Sequence, residues 1–242
     1  MRVTLNGIVS ADEDVRVYEY FGYQAFGPAR IRQAIADCPA DEELVLEVNS
    51  GGGSVMAGNE IYSVLRGAEH LRTRAEIQSL AASAASYLAL GCSEVWMSPV
   101  AQMMIHLPST STQGNRYDHL ESVQVLDTIR ESILNAYELK AKGKTERGEL
   151  RRMMNASTWL TAQEAVEKGL ADGVLFQDET APENIMNAMG GMPDIAHLRA
   201  EYRKQREAEP GGVPAADNSQ SWQTEARLTL EKNRFLEVTH ET

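Results

Sequence analysis

The order of apolar segments predicts an α/β protein built on a largely parallel sheet. Three observations carry that expectation. Short strand-like runs recur at "VTLNGIV", "LVLEVNS" (44–50), around Ile77, "SEVWMS" and "QMMIHLP". Amphipathic segments of helical length alternate with the earlier ones, and strands spaced by such helices form βαβ units. The chain has 242 residues, enough for one sizeable domain with an appendage.

Taken in order, "VTLNGIV" alternates as a half-buried strand does, and "ARIRQAIADC" carries its apolar residues on one helical face. "LVLEVNS" reads as a buried strand, followed by "GGGS" and the helix "VMAGNEIYSVLRGA". A strand around Ile77, a helix from Ser83 and two further strands come next. From Tyr117 to about Lys142, Leu120, Val123, Leu126, Ile129, Ile133, Ala136 and Leu139 keep a spacing of three or four, which predicts one long amphipathic helix. It exceeds what packing on a sheet requires, so it is expected to project and to contact another subunit. "TERGELRRMM" and "TAQEAVEKG" read as two more helices. The second has Thr161 and Glu164 as a capping box and Gly169 as its C-terminal stop. "ADGVLF" then returns as a strand. The folded core is expected at 1–180. The remainder, 181–242, reads as a partly flexible C-terminal extension with linker composition at about 210–221.

Charge and composition exclude several classes. Net charge is −12 with a pI near 4.9, so a nucleic-acid partner is not expected, because phosphate binding needs clustered Lys and Arg. "MRVTLNGIVS" does not read as a signal peptide, and no run approaches the length of a membrane span. A cytoplasmic protein is expected. Cys38 and Cys92 fall at a helix end and a helix–strand junction, where buried free thiols are expected. Neither an HxxxH nor a CxxC spacing occurs, so no metal or other cofactor is expected.

Three stretches point to chemistry. "NSGGGS", 49–54, joins a buried strand to a helix, where glycines let backbone N–H groups approach developing negative charge. Alone it also fits a plain turn. "SLAASAASYLALGC", 79–92, holds Ser83 among small residues at a helix entry, with Ser86 inside the helix and placed to bond back to a carbonyl. Close helix packing would explain the same composition. "MMIHLP", 103–108, places His106 at the end of an apolar strand, the position of a satisfied core residue or of a general base at a cleft.

Together these stretches resemble the caseinolytic (Clp) family of serine peptidases. "VNSGGGSVMAGNEIYSVLR" is similar to that family's glycine signature, with Gly51 where proline is usual. "SLAASAASYLAL" resembles its nucleophile segment, "MMIHLP" its histidine segment and "TWLTAQEAVEKGLADGVL" its closing helix and strand. The likeness runs in order over about 3–177. It implies a ClpP/crotonase-like ββα spiral in which the segment 117–142 is the projecting long handle helix. It also implies Ser83 as nucleophile, His106 as general base, and the N–H groups of Gly53 and Ala84 as oxyanion hole.

The family's third residue is an aspartate just ahead of the closing helix, and the ungapped match here is Ser157. Asn155, two residues earlier, is the nearest side chain able to accept a bond from the imidazole, and it is expected to orient His106. Asp172 and Asp118 are the more distant acids. The resemblance further implies a homo-oligomeric ring, with two rings stacked through the long helices, acting on flexible protein segments. The closing motif and polar extension look most like the phage and prophage branch, whose members process scaffold or capsid proteins during prohead maturation. Whether an unfoldase ATPase takes part is left open. Two other readings stand beside this one: a crotonase-like acyl-CoA enzyme, and a weakened or inactive Clp-like ring or scaffold protein.

Overall fold

The computed structural model describes residues 1–176. The expected extension at 181–242 and its linker lie outside them. Chain order is β1 (Arg2–Val9), α1 (Asp12–Tyr20), β2 (Ala25–Phe26), α2 (Pro28–Asp37), β3 (Glu43–Gly53), α3 (Val55–Gly67), β4 (Arg72–Ala82) and α4 (Ala84–Ala89). Then follow β5 (Glu94–Met97), β6 (Gln102–Ile105), α5 (Arg116–Ala141), α6 (Arg147–Asn155), β7 (Thr158–Thr161), α7 (Ala162–Glu167) and β8 (Gly173–Val174).

The α/β expectation holds: the main sheet runs β2-β1-β3-β4-β5-β8, and all these neighbours pair in parallel. Strand β4 serves two partners. Its first half, Arg74–Ile77, pairs with β5, and its last residues, Leu80–Ala82, pair with β6. The chain makes this switch by leaving β5 at Ser98, whose N–H bonds the Ile77 carbonyl, and re-entering as β6. Strand β6 then takes β7 on its other side, antiparallel, with Ile105 opposite Thr158.

Leu5, Leu46, Val48, Ile77 and Met103 are fully buried in these strands, which explains the near-continuous apolar runs of a parallel sheet. The small residues of α4 also have a packing cause. Every residue of α4 is buried, and α3 lies so close that a Cβ on Gly58 would sit 2.6 Å from Tyr87 Oη and 3.2 Å from Ala84 Cβ. Bulk at either helix would force them apart.

Helix α5 is 26 residues long. Asn115 caps it, accepting the Tyr117 N–H at 2.7 Å, while Asp118 accepts the Asn115 N–H at 2.7 Å. Its buried residues are Ile133, Leu134, Ala136, Tyr137, Lys140 and Ala141, all in its C-terminal half. Leu120 and Val123 are about half exposed, so the N-terminal part stands away from this chain's own core. Leu139, expected on the apolar stripe, is 67% exposed; Tyr137 and Lys140 occupy the buried face instead. The end of α5 is held to α6 by Arg147, which pairs with Glu131 and Glu138, and by Arg151 on Glu131.

Cys38 and Cys92 are buried free thiols, and burial pushes the Cys92 thiol up to about 12. Among the described residues no helix is long and apolar enough to cross a membrane.

Candidate active site

Three strand ends converge. Strand β3 finishes at Gly53, β4 at Ala82 and β6 at Ile105, so the glycine turn, Ser83 and His106 all lie just beyond the carboxyl ends of parallel strands. Ligand sites of open α/β sheets form in that location, where the loops are free of the sheet ladder.

Ser83 sits on a sharp strand-to-helix turn with φ 55° and ψ −126°, a conformation that side-chain-bearing residues rarely adopt. Such a conformation costs about 1–3 kcal/mol, which the surrounding contacts must offset. One contact is the Ser83 N–H on the Met104 carbonyl at 2.9 Å, which ties the turn to β6. The same tie brings β6's next residues alongside, and His106 Nε2 lies 2.7 Å from Ser83 Oγ. The two side chains, 23 positions apart in the chain, form a hydrogen-bonded pair.

The glycine turn packs directly on this pair. Gly52 has φ +95°, and a Cβ there would lie 2.7 Å from both the Ala82 oxygen and Ser83 Cβ and 2.9 Å from Ala84 N. Gly53, at φ +150°, would drive a Cβ to 2.2 Å from the Val9 carbonyl oxygen. Only glycine satisfies both positions. Strand β1 grips the turn from the other side: Val9 pairs with Gly53, its carbonyl accepts the Ser54 N–H at 2.8 Å, and Ser50 Oγ donates to the Gly7 carbonyl at 2.6 Å. Ala84, the first residue of α4, has no intrahelical acceptor for its N–H.

Ser83 and His106 line a small cavity of about 10 Å³, the space of one water, together with Val55, Tyr87 and Tyr137. Through Val55 and Pro108 it adjoins an open cleft of about 890 Å³. The cleft runs between α1, the glycine turn, the segment after His106 and the exposed part of α5. Asp118 and Glu121 give its α5 wall negative charge.

The expected third partner is not brought to the pair. For Ser83 to give its proton to Nε2, the imidazole must carry its own on Nδ1, and among the described residues Nδ1 makes no hydrogen bond. Asn155 ends α6, is exposed, and makes no side-chain hydrogen bond in the described residues. The β6–β7 ladder ends with Ile105 opposite Thr158, so Ser157 is the residue just before the last paired position and Asn155 lies three residues back, at the end of α6. Ser157 itself adopts φ 51° as the chain leaves α6 for β7.

The distant acids are engaged elsewhere. Asp172 accepts the Val95 N–H at 2.7 Å and pairs with the buried Lys140, while Asp118 caps α5. Strand β7, part of the stretch read as the closing helix and strand, pairs with β6 beside this site. Its signal, the alternating "TWLT", is four residues long and its partner lies more than fifty positions earlier.

Similarity to known proteins identifies the family. The family model described as Clp protease matches residues 34–178, a span that contains the glycine turn, Ser83, His106 and both Asn155 and Ser157. The ATP-dependent Clp protease proteolytic subunit 1 of Chlamydia abortus is 32% identical over 140 residues, covering 56% of this chain and 71% of that protein. The protein of the same name from Chlamydia trachomatis serovar D is 32% identical over 141 residues, with the same shares covered. That of Chlamydia muridarum is 31% identical over 140 residues. A parallel sheet whose strand ends join a serine, a histidine and a glycine turn, in a chain matched over this span, belongs to the Clp protease family of serine peptidases.

Proposed function

We propose that this chain is a serine endopeptidase in which Ser83 Oγ attacks the scissile carbonyl and His106 Nε2 takes its proton. The observation that carries the reading is the 2.7 Å Ser83–His106 pair on a strained turn at the strand ends. His106 then returns the proton to the leaving amine, and water repeats the sequence on the acyl-enzyme. The N–H groups of Gly53 and Ala84 hold the oxyanion. Close packing of Gly52 on Ser83 and Ala84 supports that role, since it draws the two donors to one side of the nucleophile. The cleft receives the extended substrate chain.

Among the described residues no carboxylate bonds His106, which favours a second reading: a Clp-like ring of low turnover or none, retained for assembly. The pair geometry favours activity over that reading, because an abandoned site has no reason to keep the cost of the turn. The acyl-CoA alternative has no such support, since its acid–base chemistry needs a free carboxylate at the turn.

The subunits form a homo-oligomeric ring, two of which stack through α5. The substrates are phage scaffold or capsid segments cut during prohead maturation, a reading that rests on the resemblance of the closing motif to the phage branch. ATP dependence is a property in the relatives' names, and here it waits on a partner ATPase.

Hydrolysis of a fluorogenic peptide and of unfolded casein by wild type, Ser83→Ala and His106→Ala tests the chemistry. A loss of about 10³-fold or more in both variants is expected, with a fluorophosphonate adduct on Ser83. Equal hydrolysis by Ser83→Ala would overturn the reading. Co-expression with a phage scaffold and capsid protein tests the substrate: cleavage that disappears in Ser83→Ala supports the prohead role, and intact scaffold beside active enzyme removes it.

A further inference from the structure

The turn that presents Ser83 is held from behind by two buried hydroxyls. Ser86, fully buried, lies one helical turn along α4, and its N–H and Oγ reach the Ser83 carbonyl oxygen at 3.0 and 2.6 Å. A carbonyl has no proton to give, so the Ser86 hydroxyl donates. Tyr137 Oη lies 2.6 Å from Ser86 Oγ. With the serine proton already committed, the phenol must be the donor in that contact. The chain therefore has one direction, from Tyr137 O–H to Ser86 Oγ and from Ser86 O–H to the Ser83 carbonyl. Tyr137 is 1% exposed, and burial pushes its phenol well above the ordinary range, so its proton stays in place.

A phenol buried for packing alone could be satisfied by any nearby carbonyl. Tyr87 is satisfied in that way, on the Val55 carbonyl at 3.0 Å. Tyr137 is instead routed, through a serine 51 positions away, to the one residue of the site whose dihedrals need support. Tyr137 and Ser83 also line the same small cavity.

We propose that Ser86 and Tyr137 are positioning residues for the nucleophile, holding the Ser83 carbonyl so that Oγ stays at His106. The inference rests on the peptidase reading for its kinetic consequence, but its geometric consequence can be read without activity. The test compares Tyr137→Phe, Ser86→Ala and the double variant in peptide hydrolysis, fluorophosphonate labelling, thermal unfolding and crystal structure. Each single variant is expected to lose about five- to ten-fold in kcat, the value of one hydrogen bond, with KM within about two-fold of wild type. Labelling of Ser83 slows in parallel. Because Tyr137 acts through Ser86, the double variant should match Ser86→Ala in kcat. It should unfold at a higher temperature than Ser86→Ala, which strands a buried phenol without an acceptor. In the variant structures the Ser83 turn relaxes and the Ser83–His106 bond lengthens.

Wild-type kcat in both single variants would overturn the inference while leaving the peptidase reading intact. If wild type neither hydrolyses peptide nor labels, the peptidase reading fails. The variant structures then decide this inference alone: an unchanged turn overturns it and a relaxed one supports it.

Discussion

Replacing Ser157 with aspartate places a carboxylate just before the last β6–β7 pair, Ile105 opposite Thr158, and so beside the segment that carries His106. A carboxylate that comes within about 5 Å of the imidazole favours its protonated form. At that distance, with an effective dielectric near 20, a carboxylate stabilises the imidazolium formed during attack by about 3 kcal/mol. That corresponds to roughly 10²-fold in rate, below the ~10⁴-fold that loss of the acid costs a complete triad. The backbone accepts the change, since Ser157 has φ 51°, a region where aspartate is better tolerated than most residues. Peptide hydrolysis under saturating substrate is the assay, with Asn155→Asp as the parallel variant. Ser157→Asp is expected to raise kcat by about 10- to 100-fold with little change in KM, and Asn155→Asp to leave it within about two-fold. A gain confined to Asn155→Asp would refute the register argument. No gain from Ser157→Asp in a wild type already active would show that the imidazole needs no charge from this side.

Gly52→Ala should abolish peptide hydrolysis, because its Cβ would press on Ala82, Ser83 and Ala84. Gly51→Ala, with no atom within 4 Å of the added carbon, should keep activity and gain up to about 1 kcal/mol in denaturant unfolding. Asp172→Asn should leave kcat unchanged yet cost about 1–3 kcal/mol in the same unfolding assay, since it strips the buried Lys140 of its counter-charge. Glu131 is held down to about 2, chiefly by its hydrogen bond from Arg147 and then by Arg130 and Arg151, against an ordinary value of 4.5. Its folded-state value is depressed, so its contribution is present above pH 4.5 and is lost as pH falls toward 2. The thermal midpoint of Glu131→Gln should accordingly fall less steeply over that window than that of wild type, and a screening salt should shrink the difference.

Much of the site was legible because its residues announce themselves locally. A buried strand followed by successive glycines, a serine among alanines at a helix entry and a histidine closing an apolar strand are short-range patterns. So was the capping box of α7, where Thr161 and Glu164 exchange the expected bonds. What stayed hidden depends on pairing at a distance. Helix α1 and strand β2 gave no signal because α1 buries none of its residues and β2 is two residues long. Asn155 is the better orienting residue on chemistry alone, and only the β6–β7 pairing shows that it lies at the end of α6, three residues before the last paired position, Thr158. Ser86 was read as bonding back to a carbonyl and does so, but its phenolic partner on α5 could not be seen from α4.

The clasp of β1 on the glycine turn has one more consequence. The Gly7 carbonyl of the first strand accepts the Ser50 hydroxyl and its Val9 carbonyl accepts the Ser54 N–H, so the fold itself holds the amides beside Ser83. In the proposed peptidase this leaves little entropy to be surrendered during the chemical step, and damage to β1 is expected to be felt first as slower acylation.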